Sequence, residues 1–272
     1  MRDQRSSGSH PLRIERDYLA TARGQLHLRK SGQGGSRPPL VMLHQVPNSG
    51  QIFEPVMSAL AEDRLVLAID TPGYGMSDPI ADPQTIEGYA EVIGHALRER
   101  ITVPVDIVGY HTGAAIAAVL ASSDLLRVRR LALVAVPVLT DTERKEFAAL
   151  PPIPFDEGGE WAREEWRRSW YWRGPGQTLD DVLKSFAEKM RPSARQQGAR
   201  AIVTFEMAEA LRVLRQPLLI VRPKDDLWEA TARAIALRPD AMCVTLPDFG
   251  LGLWSAAAER MVKILREFLD AP

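Results

Sequence analysis

The stretch VDIVGYHTGAAIAAVL, Val105–Leu120, decides the fold. Val105–Tyr110 is a continuous apolar, β-branched run, the signature of a strand buried on both faces. Gly109 and Gly113 bracket a tight turn, and the small residues after it suit a tightly packed helix. The middle of that turn is His111, so an imidazole stands where a strand passes into a helix.

The same alternation extends outward on both sides. Asp17–Lys30 alternates around Arg23-Gly24 as a hairpin. Strands are expected at Leu40–His44, Arg64–Asp70, Arg130–Val136, Pro217–Pro223 and Ala241–Pro247. Helices are expected at Gln51–Ala61, Thr85–Arg100, His111–Ser122 and Ser255–Leu269. Short apolar strands alternating with helices imply an α/β fold, a mostly parallel twisted sheet of about eight strands covered on both faces. Between Pro137 and Arg215 the alternation stops. That segment is Pro-rich at its start and then carries Trp161, Trp166, Trp170, Tyr171 and Trp172 among arginines, which reads as a helical lid. The expected organisation is a disordered leader over 1–16, a core over 17–136 and 216–272, and the lid over 137–215.

Composition excludes several classes. Of 272 residues, 45% are hydrophobic and 25% charged, with a formal net charge of −1. This balance gives no electrostatic case for nucleic acid or an acidic membrane surface. Arg127, Arg129 and Arg130 read as a solvated helix end. The single cysteine, Cys243, allows no internal disulfide or thiolate metal cluster and reads as a buried small hydrophobe. No run of 18 apolar residues exists, and the N-terminus lacks the apolar core of a secretory signal. The expected compartment is the cytoplasm, and the expected partner is a small molecule. The chain would be a monomer or homodimer.

Five segments in order make the chain similar to the α/β-hydrolase fold family. LVMLHQVPNSG resembles that family's strand and oxyanion loop, and DTPGYGMSDP (Asp70–Pro79) its D-x-x-G-x-G-x-S segment. GYHTG occupies the nucleophile elbow, RPKDDLWEA the acid loop, and LPDFGLGLW the region of the final histidine. Carried over residue by residue, the resemblance puts His111 at the nucleophile position and Asp226 at the acid position, with Asp225 the neighbouring alternative. Leu251 stands at the base position, where the family has His. The oxyanion amides would be those of Val46 and Thr112, and Gln45 replaces the usual Gly. Ordinary serine-hydrolase chemistry is therefore not supported.

The elbow sets His111 at a helix N-terminus, which opposes imidazolium formation. Its ring should titrate below the ordinary value of ~6.5 unless a carboxylate compensates. Four readings follow: a general base, a nucleophile forming an acyl-imidazole, a catalytic pair with His44, or an inert pocket that binds without reacting. His44 is more simply a brace for its loop. Asp226 is the first candidate to orient His111. Asp141 is a second, though an N-cap role in the run Thr140–Glu143 suits it better. Gln45, Tyr110, Trp166 and Trp170 are the candidate substrate contacts, with Tyr74 weaker. Arg167, Arg168 and Arg173 could pair with a carboxylate but are more simply solvated. His10, His27 and His95 look ordinary, and no pair has the spacing of a metal site. No metal, dinucleotide or other cofactor is expected. The reading is a cofactor-independent enzyme of hydrolase ancestry acting on a small apolar ester, lactone or other carbonyl compound. The alternatives are a ligand-binding pseudo-hydrolase, or a lyase or isomerase.

Overall fold

The structure is a computed structural model that describes residues 12–81, 84–149, 156–190 and 197–272. The expected leader lies mostly outside these, but it overshoots. Glu15 and Arg16 already pair with Lys30 and Arg29 in the first hairpin, β1 (Glu15–Thr21) and β2 (Gly24–Ser31).

The remaining strands are β3 (Leu40–Leu43), β4 (Val66–Ile69), β5 (Val105–Tyr110), β6 (Val128–Val134), β7 (Leu218–Pro223) and β8 (Met242–Leu246). They form one eight-stranded sheet in the order β1-β2-β4-β3-β5-β6-β7-β8. Strand β2 is antiparallel to both its neighbours, and every other pairing is parallel. Each residue of β3, β4 and β5 is buried, because helices cover both faces. On one face lie α2 (Ile86–Arg98) and α3 (Thr112–Ser122). On the other lie α1 (Glu54–Leu60) and α11 (Ala258–Leu269), the latter preceded by the short α10 (Leu253–Ala256). Thr85 caps α2 by accepting the Gly88 N–H at 3.0 Å.

Two surface expectations fail for reasons of tertiary position. Cys243 is exposed, because β8 is the edge strand and has no neighbour beyond it. The arginine patch lies at the start of β6 and is paired. Arg129 forks onto the buried Asp106 at 2.7 and 3.0 Å, and Arg130 donates to the carbonyls of Ala271 and Pro272.

The segment after β6 holds α4 (Asp141–Ala149), α5 (Glu160–Tyr171), α6 (Leu179–Lys189), α7 (Gln197–Thr204) and α8 (Met207–Val213), with no strand among the described residues. Thr140, not Asp141, caps α4. Its hydroxyl accepts the Glu143 N–H, and Glu143 accepts the Thr140 N–H at 2.7 Å. The last helix belongs to the core, since Met207 and Leu211 are fully buried in the cluster that includes α3. After α8 the chain re-enters the sheet at β7, which leads into α9 (Trp228–Leu237).

Candidate functional site

The sheet register builds the site. Leu43 of β3 stands opposite Gly109 of β5, Tyr110 opposite Val134 of β6, and Val134 opposite Val221 of β7. The loops after β3, β5 and β7 therefore leave one edge of the sheet together, at the strands' C-terminal ends, where ligands bind in such folds.

His111 is the sharp point of that edge. Its backbone has φ 52° and ψ −116°, a conformation that non-glycine residues rarely adopt. The turn is held by the His111 N–H to Val134 O at 3.0 Å and the Ala114 N–H to His111 O at 2.8 Å. The flanking glycines are steric necessities. A Cβ at Gly113 would lie 2.0 Å from Leu43 O, and one at Gly109 would lie 2.4 Å from Gly113 O. Helix α3 thus packs directly on β3 and β5 and presses the imidazole up at its N-terminus.

The imidazole meets a carboxylate there. His111 Nε2 lies 2.9 Å from Asp225 Oδ2 and 3.8 Å from Asp226 Oδ1. The Asp225 side chain is wholly buried, while that of Asp226 is 41% exposed. The other Asp225 oxygen accepts the Leu227 N–H at 3.0 Å, so the carboxylate is fixed from two sides. The structure therefore places Asp225 in the orienting position and Asp226 beside it. Because Asp225 can only accept, the hydrogen bond sets a proton on Nε2 and leaves Nδ1 as the basic atom. Nδ1 has no hydrogen-bond partner among the described residues.

Burial alone would disfavour the charged ring, as expected at a helix N-terminus. The charge and hydrogen bond of Asp225, with Asp226 behind it, outweigh that, and the ring titrates above its ordinary value. The expected downward shift is thus reversed by a carboxylate.

His44 is not free to share this work. Its Nδ1 lies 2.8 Å from Gln45 O, and its Nε2 accepts the Thr71 N–H at 2.9 Å. Both nitrogens brace the loop, and burial holds the ring neutral by lowering its pKa. Thr112 opens α3, and its N–H is among the helix-end donors that lack an intrahelical acceptor. Val46 lies in the loop after β3. Gln45 Nε2 donates to Asn48 Oδ1 at 3.0 Å. Leu251 lines a groove of about 600 Å³ with Tyr171, Trp172, Arg173, Lys224 and Phe249.

Comparison with known proteins agrees with this architecture. The family model for the alpha/beta hydrolase fold matches residues 38–157. The chain has the α/β-hydrolase fold. It is 25% identical over 264 residues to 2-(acetamidomethylene)succinate hydrolase of Mesorhizobium japonicum, covering 90% of this chain and 92% of that protein. It is 26% identical over 269 residues to pimeloyl-[acyl-carrier protein] methyl ester esterase of Stenotrophomonas maltophilia, covering 90% and 97%. Among solved structures, a hydrolase from Pseudomonas aeruginosa superposes with a TM-score of 0.80 at 20% identity, covering 98% of this chain and all of that one. E-2-(acetamidomethylene)succinate hydrolase superposes with a TM-score of 0.76 at 22% identity, covering 95% and 100%.

In this α/β-hydrolase-fold protein the aromatic residues of α5 largely serve each other. Trp166 stacks on Trp170 with centroids 6.0 Å apart and meets Phe186 of α6 edge-on at 5.3 Å. The Arg173 guanidinium covers Trp170 at 3.9 Å. Tyr110 is wholly buried between His111 and Trp254. Glu188 of α6 went unnoticed in the sequence. It accepts the Ser49 N–H at 3.1 Å, binds the Ser49 hydroxyl, and accepts from Asn48 Nδ2 at 3.3 Å. It ties the helical segment to the loop after β3. Nothing in the run SFAEKM distinguishes it from a solvated helix acid.

Proposed function

We propose that the chain is a cofactor-independent hydrolase of small apolar esters, lactones or related carbonyl compounds. The observation that carries this reading is the 2.9 Å bond between His111 Nε2 and the buried Asp225 carboxylate. An imidazole oriented by a buried acid is the base half of a hydrolytic relay. Here it occupies the elbow itself, in place of the serine it would ordinarily serve. Nδ1 takes a proton from water, which attacks the carbonyl carbon, and returns it to the leaving alcohol oxygen as the ester C–O bond breaks. The Val46 and Thr112 amides receive the developing oxyanion. The nearby carboxylates give the imidazolium formed on proton transfer a favourable field. Helices α4 to α7 act as a lid, held at Glu188. The methyl ester esterases among the relatives support an ester as the first substrate class to test.

A second reading is favoured by the strained elbow backbone: Nδ1 attacks the carbonyl directly, the ester C–O bond breaks, the alcohol leaves with the proton released from Nε2, and water then cleaves the resulting acyl-imidazole. A screen of short esters, lactones and β-keto acids tests both, with His111→Ala and Asp225→Asn as controls. Quenched reactions examined by mass spectrometry separate them. An acyl adduct on the tryptic peptide containing His111 indicates the nucleophile, and turnover without adduct indicates the base. Ligand binding at saturation with no product from any substrate would leave only a pseudo-hydrolase.

A further inference from the structure

The buried carboxylates of this protein are not all treated alike. Asp70 is met by Arg29 and His27, and Asp106 by Arg129 and Arg64. Asp225 is as deeply buried, yet among the described residues no arginine or lysine pairs with it or with Asp226. One imidazole faces two carboxylates, so the cluster carries net negative charge even when the ring is protonated. The excess charge sits on the half-exposed Asp226 at the mouth of the cluster, where it attracts a cation.

The atoms are set for one. His111 Nε2, an Asp225 oxygen and an Asp226 oxygen all lie within 4.8 Å of one another. Ligands bound to a zinc ion at about 2.0–2.1 Å stand about 3.0–3.4 Å apart. The observed 2.9 and 3.8 Å from Nε2 bracket that spacing. A separate observation points the same way. The Tyr110 hydroxyl is wholly buried and has no hydrogen-bond partner among the described residues, and its ring lies edge-on to His111 at 4.6 Å. It is a polar group available to a water bound on the ion.

We propose that His111, Asp225 and Asp226 form a binding site for a single divalent transition-metal ion of the Zn²⁺ class. One nitrogen and two carboxylate oxygens supply three ligands, and the half-exposed Asp226 provides the entry side. Nitrogen and oxygen donors suit Zn²⁺ or Mn²⁺ better than the all-oxygen preference of Ca²⁺. The spacing along the chain hid this set, because more than a hundred residues separate His111 from the acid doublet. The ion occupies the Nε2 position that carries a proton in the metal-free base. Occupancy therefore competes with the His111–Asp225 hydrogen bond. The inference does not rest on the catalytic reading, since it needs only these three positions.

The test is direct binding to the full chain, stripped with chelator and carrying Cys243→Ser to remove the exposed thiol. Zn²⁺ is titrated against a chromophoric chelator. The expected result is a single site, weakened by His111→Ala and by Asp226→Asn by more than the roughly 10–100-fold that loss of an outer-shell partner costs. Asp226 is half exposed, so Asp226→Asn tests the site in a protein whose fold is unchanged, checked by circular dichroism. Absence of Zn²⁺ binding would overturn the proposal. So would binding that survives both substitutions unchanged. Because the readout is binding, failure here leaves the hydrolase reading intact, and an inactive protein that binds zinc fails only that reading.

Discussion

His111 and Asp225 are 114 residues apart in the chain and 2.9 Å apart in space. The pair joins the elbow after β5 to the loop after β7, and β6 lies between them in the sheet. Whatever the protein does at this edge, these two groups are oriented by each other.

Removing either should separate chemistry from folding. His111→Ala is expected to lower turnover by about 10²–10⁴-fold, the usual contribution of a positioned base. Relief of the positive-φ strain is not expected from Ala, so His111→Gly is the companion variant: equally inactive, and at least as stable as His111→Ala. Steady-state kinetics and thermal melts on both variants check this. Full activity in either variant sinks the base role.

The pH profile follows from the raised His111 pKa. The groups facing the ring are Asp225, Asp226 and Tyr110. A base must be neutral, so kcat/KM should rise with pH through a value above the ordinary ~6.5. Asp225→Asn removes the main stabilising charge, and the rising limb should move to lower pH. Stability runs the other way. A folded-state pKa above the unfolded one means the protonated ring favours the fold. That contribution is complete below ~6.5 and is lost as pH rises through the folded value. The melting-temperature gap between wild type and His111→Gln should therefore shrink from about pH 6 to about pH 9.

His44 should behave as a brace. His44→Ala leaves the buried Thr71 N–H without its acceptor and is expected to destabilise by about 1–3 kcal/mol. Activity should fall through the displaced loop, with no change in the pH of the rising limb. A shifted limb in that variant would assign His44 a titrating role.

Glu188 should control how firmly α6 holds the loop after β3. Glu188→Ala removes acceptors for Ser49 and Asn48, and faster amide exchange is expected across Leu179–Lys189, with a raised KM and little change in kcat. Glu188→Gln keeps a side-chain oxygen and should recover part of the effect. Unchanged exchange in both variants would show that the contact does not hold the helix.

Serine reactivity is a sharper check on the elbow. A serine-directed phosphonate should label nothing in the native chain, since Ser49 is bound by Glu188 and Ser255 Oγ sits 3.2 Å from Gly252 O. The double variant His111→Ser, Leu251→His supplies a nucleophile and a base at the two altered positions, with the acid loop unchanged. It should gain phosphonate labelling at residue 111, which mass spectrometry would detect.

Much of this was written locally. The strand-turn-helix of Val105–Leu120, the five ordered segments and the helical stretch after β6 were legible because hydrophobic period and glycine spacing are properties of neighbouring residues. Cys243 and the arginines of β6 were misread because edge position and pairing depend on which strands come together. Asp141 lost its cap to Thr140 by one residue, within the ordinary uncertainty of helix ends.

The sequence by itself determined the sheet, the elbow and the presence of an imidazole where a nucleophile is expected. Only the tertiary structure decided that Asp225, and not the adjacent Asp226, turns inward to hold the ring. A doublet of identical side chains carries no sign of which one is buried; the Leu227 N–H and the packing under β7 make that choice. The direction of the His111 pKa was decided the same way. The helix N-terminus is encoded nearby and pushes the pKa down, but the stronger upward pull comes from a carboxylate that the fold brings in from the far end of the chain.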